Sequence, residues 1–160
     1  MINNKGLSPT LSPNKTKVLI LGTFPSRKSL ELQQYYANPM NRFWKMIFYC
    51  LDEKMPDTYK EKVAVLSKYG ICLWDLLKTC DRDGSLDENI RNAIPNDIFK
   101  YKDAIIIVNG GNFKNKYKSY GYDKSILDFV KQFPSTSSAN THYPDKKLFK
   151  YWKENIIKYL

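Results

Sequence analysis

With one histidine, His142, and three cysteines, Cys50, Cys72 and Cys80, the sequence is short of soft ligands for a zinc or iron–sulfur site. The cysteines are odd in number, widely spaced and free of any CxxC pair, which fits reduced thiols better than a disulfide framework. No metal and no cofactor are expected. No apolar run approaches the roughly 18 residues that read as a membrane span. The N-terminal residues 1–17 are polar, carry Pro9 and Pro13, and lack the apolar stretch of a secretory signal. A cytoplasmic protein that does not engage membranes is therefore expected. The paired H-x-E and P-C-x-x-C segments of a zinc nucleobase deaminase are missing, and so is a Walker phosphate loop. A Ser–His or Cys–His nucleophilic pair would have to use His142, and nothing around it nominates a partner, so His142 reads as a loop residue.

What the sequence does have is positive charge. Twenty-six Lys plus Arg stand against sixteen Asp plus Glu, a formal net charge of +10 over 160 residues. Polyanions are natural partners for such a chain, although a lysine-rich domain with no nucleic-acid role has the same balance. The length is that of one domain, and 42% hydrophobic residues can fill one core. Residues 15–160 read as that domain, with residues 1–14 as a flexible N-terminal arm.

After Lys17, residues 18–21 form a short continuous apolar run that stops at Gly22, as a strand buried on both faces of a parallel sheet would. Residues 104–108 repeat the pattern and stop at Asn109-Gly110-Gly111, and weaker candidates lie at 71–74 and 127–133. Between them, Asn38-Pro39 reads as an N-cap followed by proline at the first helical position, with Phe43, Trp44, Ile47, Cys50 and Leu51 at helical spacing. Asn41 then falls in that helix's first turn. Residues 58–69 and 145–160 read as amphipathic surface helices. Strands alternating with helices argue for an α/β layered fold, with ligands bound beyond the carboxyl ends of the strands, where Gly22, Asn109 and Pro134 begin loops.

Three segments carry the chemistry. Gly22-Thr23-Phe24-Pro25-Ser26 leaves a buried strand through a glycine that lets backbone approach a ligand; alone it equally describes an ordinary turn with Phe24 in the core. Residues 35–44 crowd aromatics and amides around a helix start, whose free N–H groups favour an anion or a developing negative charge. Tyr35 and Tyr36 serve there either as core or as a stacking platform for a base. Pro134-Ser135-Thr136-Ser137-Ser138-Ala139-Asn140 offers hydroxyls and amides suited to phosphate contacts, the alternative being a solvated loop. Asn109 at a strand end reads either as a base-edge contact or as a turn residue.

Together the three segments resemble the uracil-DNA glycosylase superfamily. Among its branches the resemblance is greatest to the hypoxanthine-DNA (deoxyinosine) glycosylases, through the GTFPS loop, Gln34-Tyr35-Tyr36-Ala37-Asn38-Pro39, Trp74-Asp75, Asn109-Gly110 and PSTSSAN. The resemblance implies a three-layer α/β/α sandwich around a central, mainly parallel four-stranded sheet. It implies a monofunctional base-excision enzyme that hydrolyses the N-glycosidic bond of a flipped deaminated base, hypoxanthine or uracil, in single- or double-stranded DNA, and acts as a monomer. In most branches the third residue of the first motif is polar and helps place water, whereas here it is Phe24. Catalysis is then carried over to Asn41, expected to hold a water through its amide oxygen. Gly22, Thr23, Phe24, Pro25, Tyr36 and Asn109 are expected to form the base pocket. Ser26, Ser135, Thr136, Ser137, Ser138 and Asn140 are expected to contact DNA. The competing reading, favoured by Phe24, is a catalytically silent nucleic-acid-binding module.

Overall fold

The computed structural model describes residues 3–160. Its centre is a four-stranded parallel sheet in the order β3-β2-β6-β7, formed by β2 (Val18–Gly22), β3 (Ile71–Asp75), β6 (Ile105–Asn109) and β7 (Val130–Phe133). The expected α/β architecture is what the chain adopts. Val18 to Leu21 and Ile71 to Leu73 have no exposed surface: β2 lies inside the sheet, and β3, at its edge, is covered there by the chain around Thr10. That burial is why they read as unbroken apolar runs rather than alternating ones. β7 is an edge strand, and its exposed Lys131 and Gln132 keep that edge polar.

The helices are α1 (Arg27–Leu32), α2 (Phe43–Leu51), α3 (Tyr59–Lys68), α4 (Phe113–Lys116) and α5 (Asp145–Ile156). Thr58 caps α3 by accepting from the Glu61 amide while its hydroxyl donates to the Glu61 carboxylate. α5 buries Leu148, Trp152 and Ile156, spaced four apart, and packs against α2. No helix among the described residues is long and apolar enough to cross a membrane.

Two features differ from the sequence reading. Residues 3–14, expected as a loose arm, lie along the domain, while Met1 and Ile2 fall outside the described residues. β1 (Asn3–Lys5) pairs antiparallel with β4 (Leu77–Asp81), and β4 with β5 (Arg91–Pro95), making a small second sheet. Beyond β1, Thr10 exchanges hydrogen bonds with Leu73: its amide donates to the Leu73 carbonyl at 3.1 Å, and its hydroxyl accepts from the Leu73 amide at 2.9 Å. Thr10 thus satisfies the open edge of β3. The second difference is the start of α2. Asn38 accepts from the Met40 amide at 3.0 Å and caps a local turn, and the helix begins only at Phe43.

Trp152 is fully buried, packs edge-on to Phe133 with centroids 4.9 Å apart, and donates through Nε1 to the Pro134 carbonyl at 3.0 Å. It fastens α5 to the end of β7, where the third loop begins. Trp152→Ala is expected to lower the unfolding free energy by about 3–5 kcal/mol, read as a shifted urea midpoint with an unchanged slope.

Candidate active site

Parallel strands deliver their carboxyl ends to one edge of the sheet, and there the three loops enclose a cavity of about 600 Å³. Every residue named above for catalysis, for the base pocket or for DNA contact lines it. One hydrogen-bonded chain ties the second and third of these segments to each other and to the end of β6. The Asn109 Nδ2 donates to the Tyr36 hydroxyl at 3.1 Å and to Thr136 Oγ1 at 3.0 Å, while Asn109 Oδ1 accepts from the Thr136 amide at 3.1 Å. Thr136 Oγ1 in turn donates to Asn41 Oδ1 at 2.7 Å, and that oxygen also accepts from the Phe43 amide at 2.9 Å.

This chain corrects several assignments. Asn41 lies two residues before α2, and its side-chain oxygen caps the helix start. With two donors already on Oδ1, the group it can offer to the cavity is Nδ2, a donor, and not the amide oxygen expected to hold water. Thr136 has no exposed surface and cannot reach a phosphate. Asn109 has spent both Nδ2 hydrogens and one Oδ1 lone pair inside the protein, so it positions Tyr36 and Thr136 rather than reading a base edge. The Ser26 hydroxyl is committed as the cap of α1, accepting from the Ser29 amide at 3.2 Å and donating to the Ser29 hydroxyl at 3.1 Å.

Tyr36 adopts a left-handed backbone conformation, φ 54°, which turns its ring back over the sheet edge. One face stacks on the buried Phe43, with centroids 4.0 Å apart and planes within 14°. Burial pushes its phenol above the ordinary range, opposed by the Asn109 hydrogen bond, so it stays a neutral donor. The 135–140 loop is shaped from within: Ser135 accepts from the Ser137 amide, Ser137 from the Ala139 amide, and Asn140 donates to the Ser135 carbonyl. Ser138 is exposed. His142 is exposed in the same loop region.

Phe24 is buried, with the Arg82 guanidinium 5.1 Å from its ring centroid. It forms wall, not chemistry.

Two further residues bear on the site. Arg42 donates through Nη2 to the Ser137 carbonyl at 2.8 Å and the Asn140 carbonyl at 3.3 Å, and through Nε to the Thr136 carbonyl at 3.3 Å. It also pairs with Asp145 at 3.3 Å. A cation one residue before a run of helical aromatics was the only sequence signal for this clamp. The other is Asp75, the last residue of β3, which lines the cavity and is 5% exposed. Its carboxyl fills the space beside Gly22, where a Cβ would fall 2.6 Å from Asp75 Oδ1, so the first motif must begin with glycine. Burial, reinforced by Asp87 and opposed by Arg82, pushes Asp75 up to about 7. Its sequence signal was a carboxylate ending a wholly apolar strand.

A cavity at the carboxyl edge of a parallel sheet, walled by three loops of which two share one hydrogen-bonded chain with the end of β6, defines a ligand-binding α/β enzyme site. The model of the uracil DNA glycosylase superfamily matches residues 9–158. A hypoxanthine DNA glycosylase of Methanosarcina acetivorans is 33% identical over 144 residues, covering 84% of this chain and 87% of that protein. One of Methanosarcina barkeri is 29% identical over 135 residues, covering 79% and 85%. A solution NMR structure from Methanosarcina acetivorans, assigned to the uracil DNA glycosylases, superposes with a TM-score of 0.75 at 30% identity over 99% of both chains. The chain belongs to the uracil DNA glycosylase superfamily and is a DNA glycosylase.

Thr136→Val keeps the shape of the side chain but leaves Asn41 and Asn109 each short of a buried partner. It is expected to cost about 1–3 kcal/mol of stability, measured by denaturant titration, and to slow base excision beyond any loss of folded protein.

Proposed function

We propose that this glycosylase excises hypoxanthine from DNA by hydrolysing the N-glycosidic bond of a flipped deoxyinosine, with uracil handled by the same site, and acts as a cytoplasmic monomer. The observation that carries the reading is the convergence of all three motif segments on one cavity of about 600 Å³, within the range of pockets that bury a single small ligand. The choice of base is supported by the two relatives, both hypoxanthine DNA glycosylases. The catalytically silent alternative was raised by Phe24 alone, and the cavity retains Asn41 and Asp75 beside it.

Cleavage develops positive charge on the sugar and negative charge on the departing base, as in glycoside hydrolysis. Placement then matters more than a strong base. Asn41 is assigned to hold the attacking water by donating from Nδ2 to its oxygen, which leaves a lone pair free to approach C1′. Fixing Oδ1 between Thr136 and Phe43 sets that direction before substrate arrives. Tyr36 offers the base the ring face that Phe43 does not cover. Gly22, Thr23, Phe24 and Pro25 are assigned to the pocket wall. Ser135, Ser137, Ser138 and Asn140 face the DNA backbone, and the net charge of +10 supplies the salt-dependent affinity.

The test is incubation with duplexes carrying one inosine, uracil, xanthine or thymine mismatch, followed by alkali to reveal abasic sites. Strand breaks at inosine are expected, and none on any duplex at stoichiometric enzyme overturns the reading. Asn41→Ala should slow excision about 10²–10³-fold, the cost of one preorganised donor; a parental rate would remove Asn41 from catalysis. Tyr36→Ala should lose about 1–3 kcal/mol of base stacking, seen as weaker binding and slower excision.

A further inference from the structure

Asp75 is hard to explain by folding. It closes a strand whose other residues are fully or nearly fully buried, it keeps 5% of its surface, and its Oδ2 has no hydrogen-bond partner among the described residues. Arg82, the cation whose charge acts on it, makes no ion pair with it among the described residues; its Nη2 donates to the Pro25 carbonyl, and its Nε and Nη1 find no hydrogen-bond partner among those residues. An unpartnered buried carboxyl costs stability, so the fold gains nothing by keeping it there.

The groups facing it come from every neighbouring element. Arg82 follows β4, Asp87 sits on the turn Asp87–Asn89 at the cavity rim, Tyr35 and Tyr36 follow α1, and Tyr122 follows α4. The tyrosines are neutral, held so by burial. Only Arg82 favours the carboxylate, while burial and Asp87 favour the acid. The carboxyl therefore holds its proton near neutral pH, in the wall of a cavity where negative charge appears on a leaving group. Ionised, it would repel that charge; protonated, it can neutralise it.

We propose that Asp75, in its protonated form, is the general acid that donates to the departing base. The inference rests on the glycosylase reading of this cavity. As the C1′–N bond breaks, its electron pair leaves with the base. The proton of the Asp75 carboxyl passes to the base, which departs neutral. The water held at Asn41 bonds to C1′ and releases a proton to solvent, and Asp75 takes one back before the next turnover. The base leaves with the proton of the acid, the sugar keeps the hydroxyl of water, and no other reactant is required. Phe24 has no group to titrate, and Asp75, on the adjacent strand, brings one to the same cavity.

The experiment is single-turnover excision of hypoxanthine from a synthetic duplex by the full chain, followed from about pH 5.5 to 8.5. The sign follows from the proton being required: the rate is on its plateau at acid pH and falls as pH rises through about 7, by about tenfold per unit once the acid is ionised. Asp75→Asn still donates a hydrogen bond but has no proton to give. It is expected to be slower by about 10²-fold at pH 6 with a flat profile. Asp87→Asn removes a neighbouring negative charge, so the fall should begin at lower pH, which a purely structural role for Asp75 would not produce. A flat profile for the parent protein, or a decline that survives in Asp75→Asn, overturns the inference. A parent protein that excises hypoxanthine with a flat profile sinks the acid role alone, whereas one that excises nothing sinks the glycosylase reading with it.

Discussion

Thr136 must satisfy a hydroxyl and a backbone amide with no access to water, and two asparagines from distant parts of the chain do it. The rest of the site hangs on that requirement. Asn109 is fixed at the end of β6, so Thr136 locks the third loop to the sheet; Asn41 is fixed at the start of α2, so the same hydroxyl locks the second segment to the third. Tyr36 joins through the other hydrogen of Asn109 Nδ2. Buried polar chains of this kind are costly when half satisfied and rigid when complete. Here completion holds Asn41 Nδ2 and the ring of Tyr36 in place before a substrate enters.

Arg42 reinforces the arrangement from outside. A guanidinium with several donors in a fixed plane is suited to gathering the carbonyls of residues 136, 137 and 140, which a turn-rich loop would otherwise leave to solvent. Asp75 and Arg82 form the opposite case, two buried charged groups with unpaired atoms beside the cavity. The contrast separates the wall built for rigidity from the wall that keeps its chemical capacity free.

Much of this was visible in the residues alone. The two inner strands announced themselves because burial on both faces removes the need for any polar residue in 18–21 or 106–108. The second sheet did not, since the pairing of β4 and β5 shifts register twice, and Arg91 and Pro95 break the apolar alternation that marks a strand. Asn38-Pro39 carried the local signature of a helix start, but Asn38 spends its side chain on a turn and the helix waits for Asn41 to cap it. Likewise a run of Ser and Thr reads as solvated, and nothing local marks Thr136 as the one turned inward.

The sequence by itself determined the fold class, the three loops and the family, because apolar runs, glycine at a strand end and amide-rich turns are properties of neighbouring residues. Only the tertiary structure decided which atom of Asn41 is free, that Thr136 and Asn109 face each other, and that the Asp75 carboxyl lies beside Gly22 with its Oδ2 unpartnered among the described residues. Those facts depend on residues 27 to 95 positions apart meeting at one sheet edge. Hydrogen-bond saturation and desolvation are set by such meetings and by no local pattern.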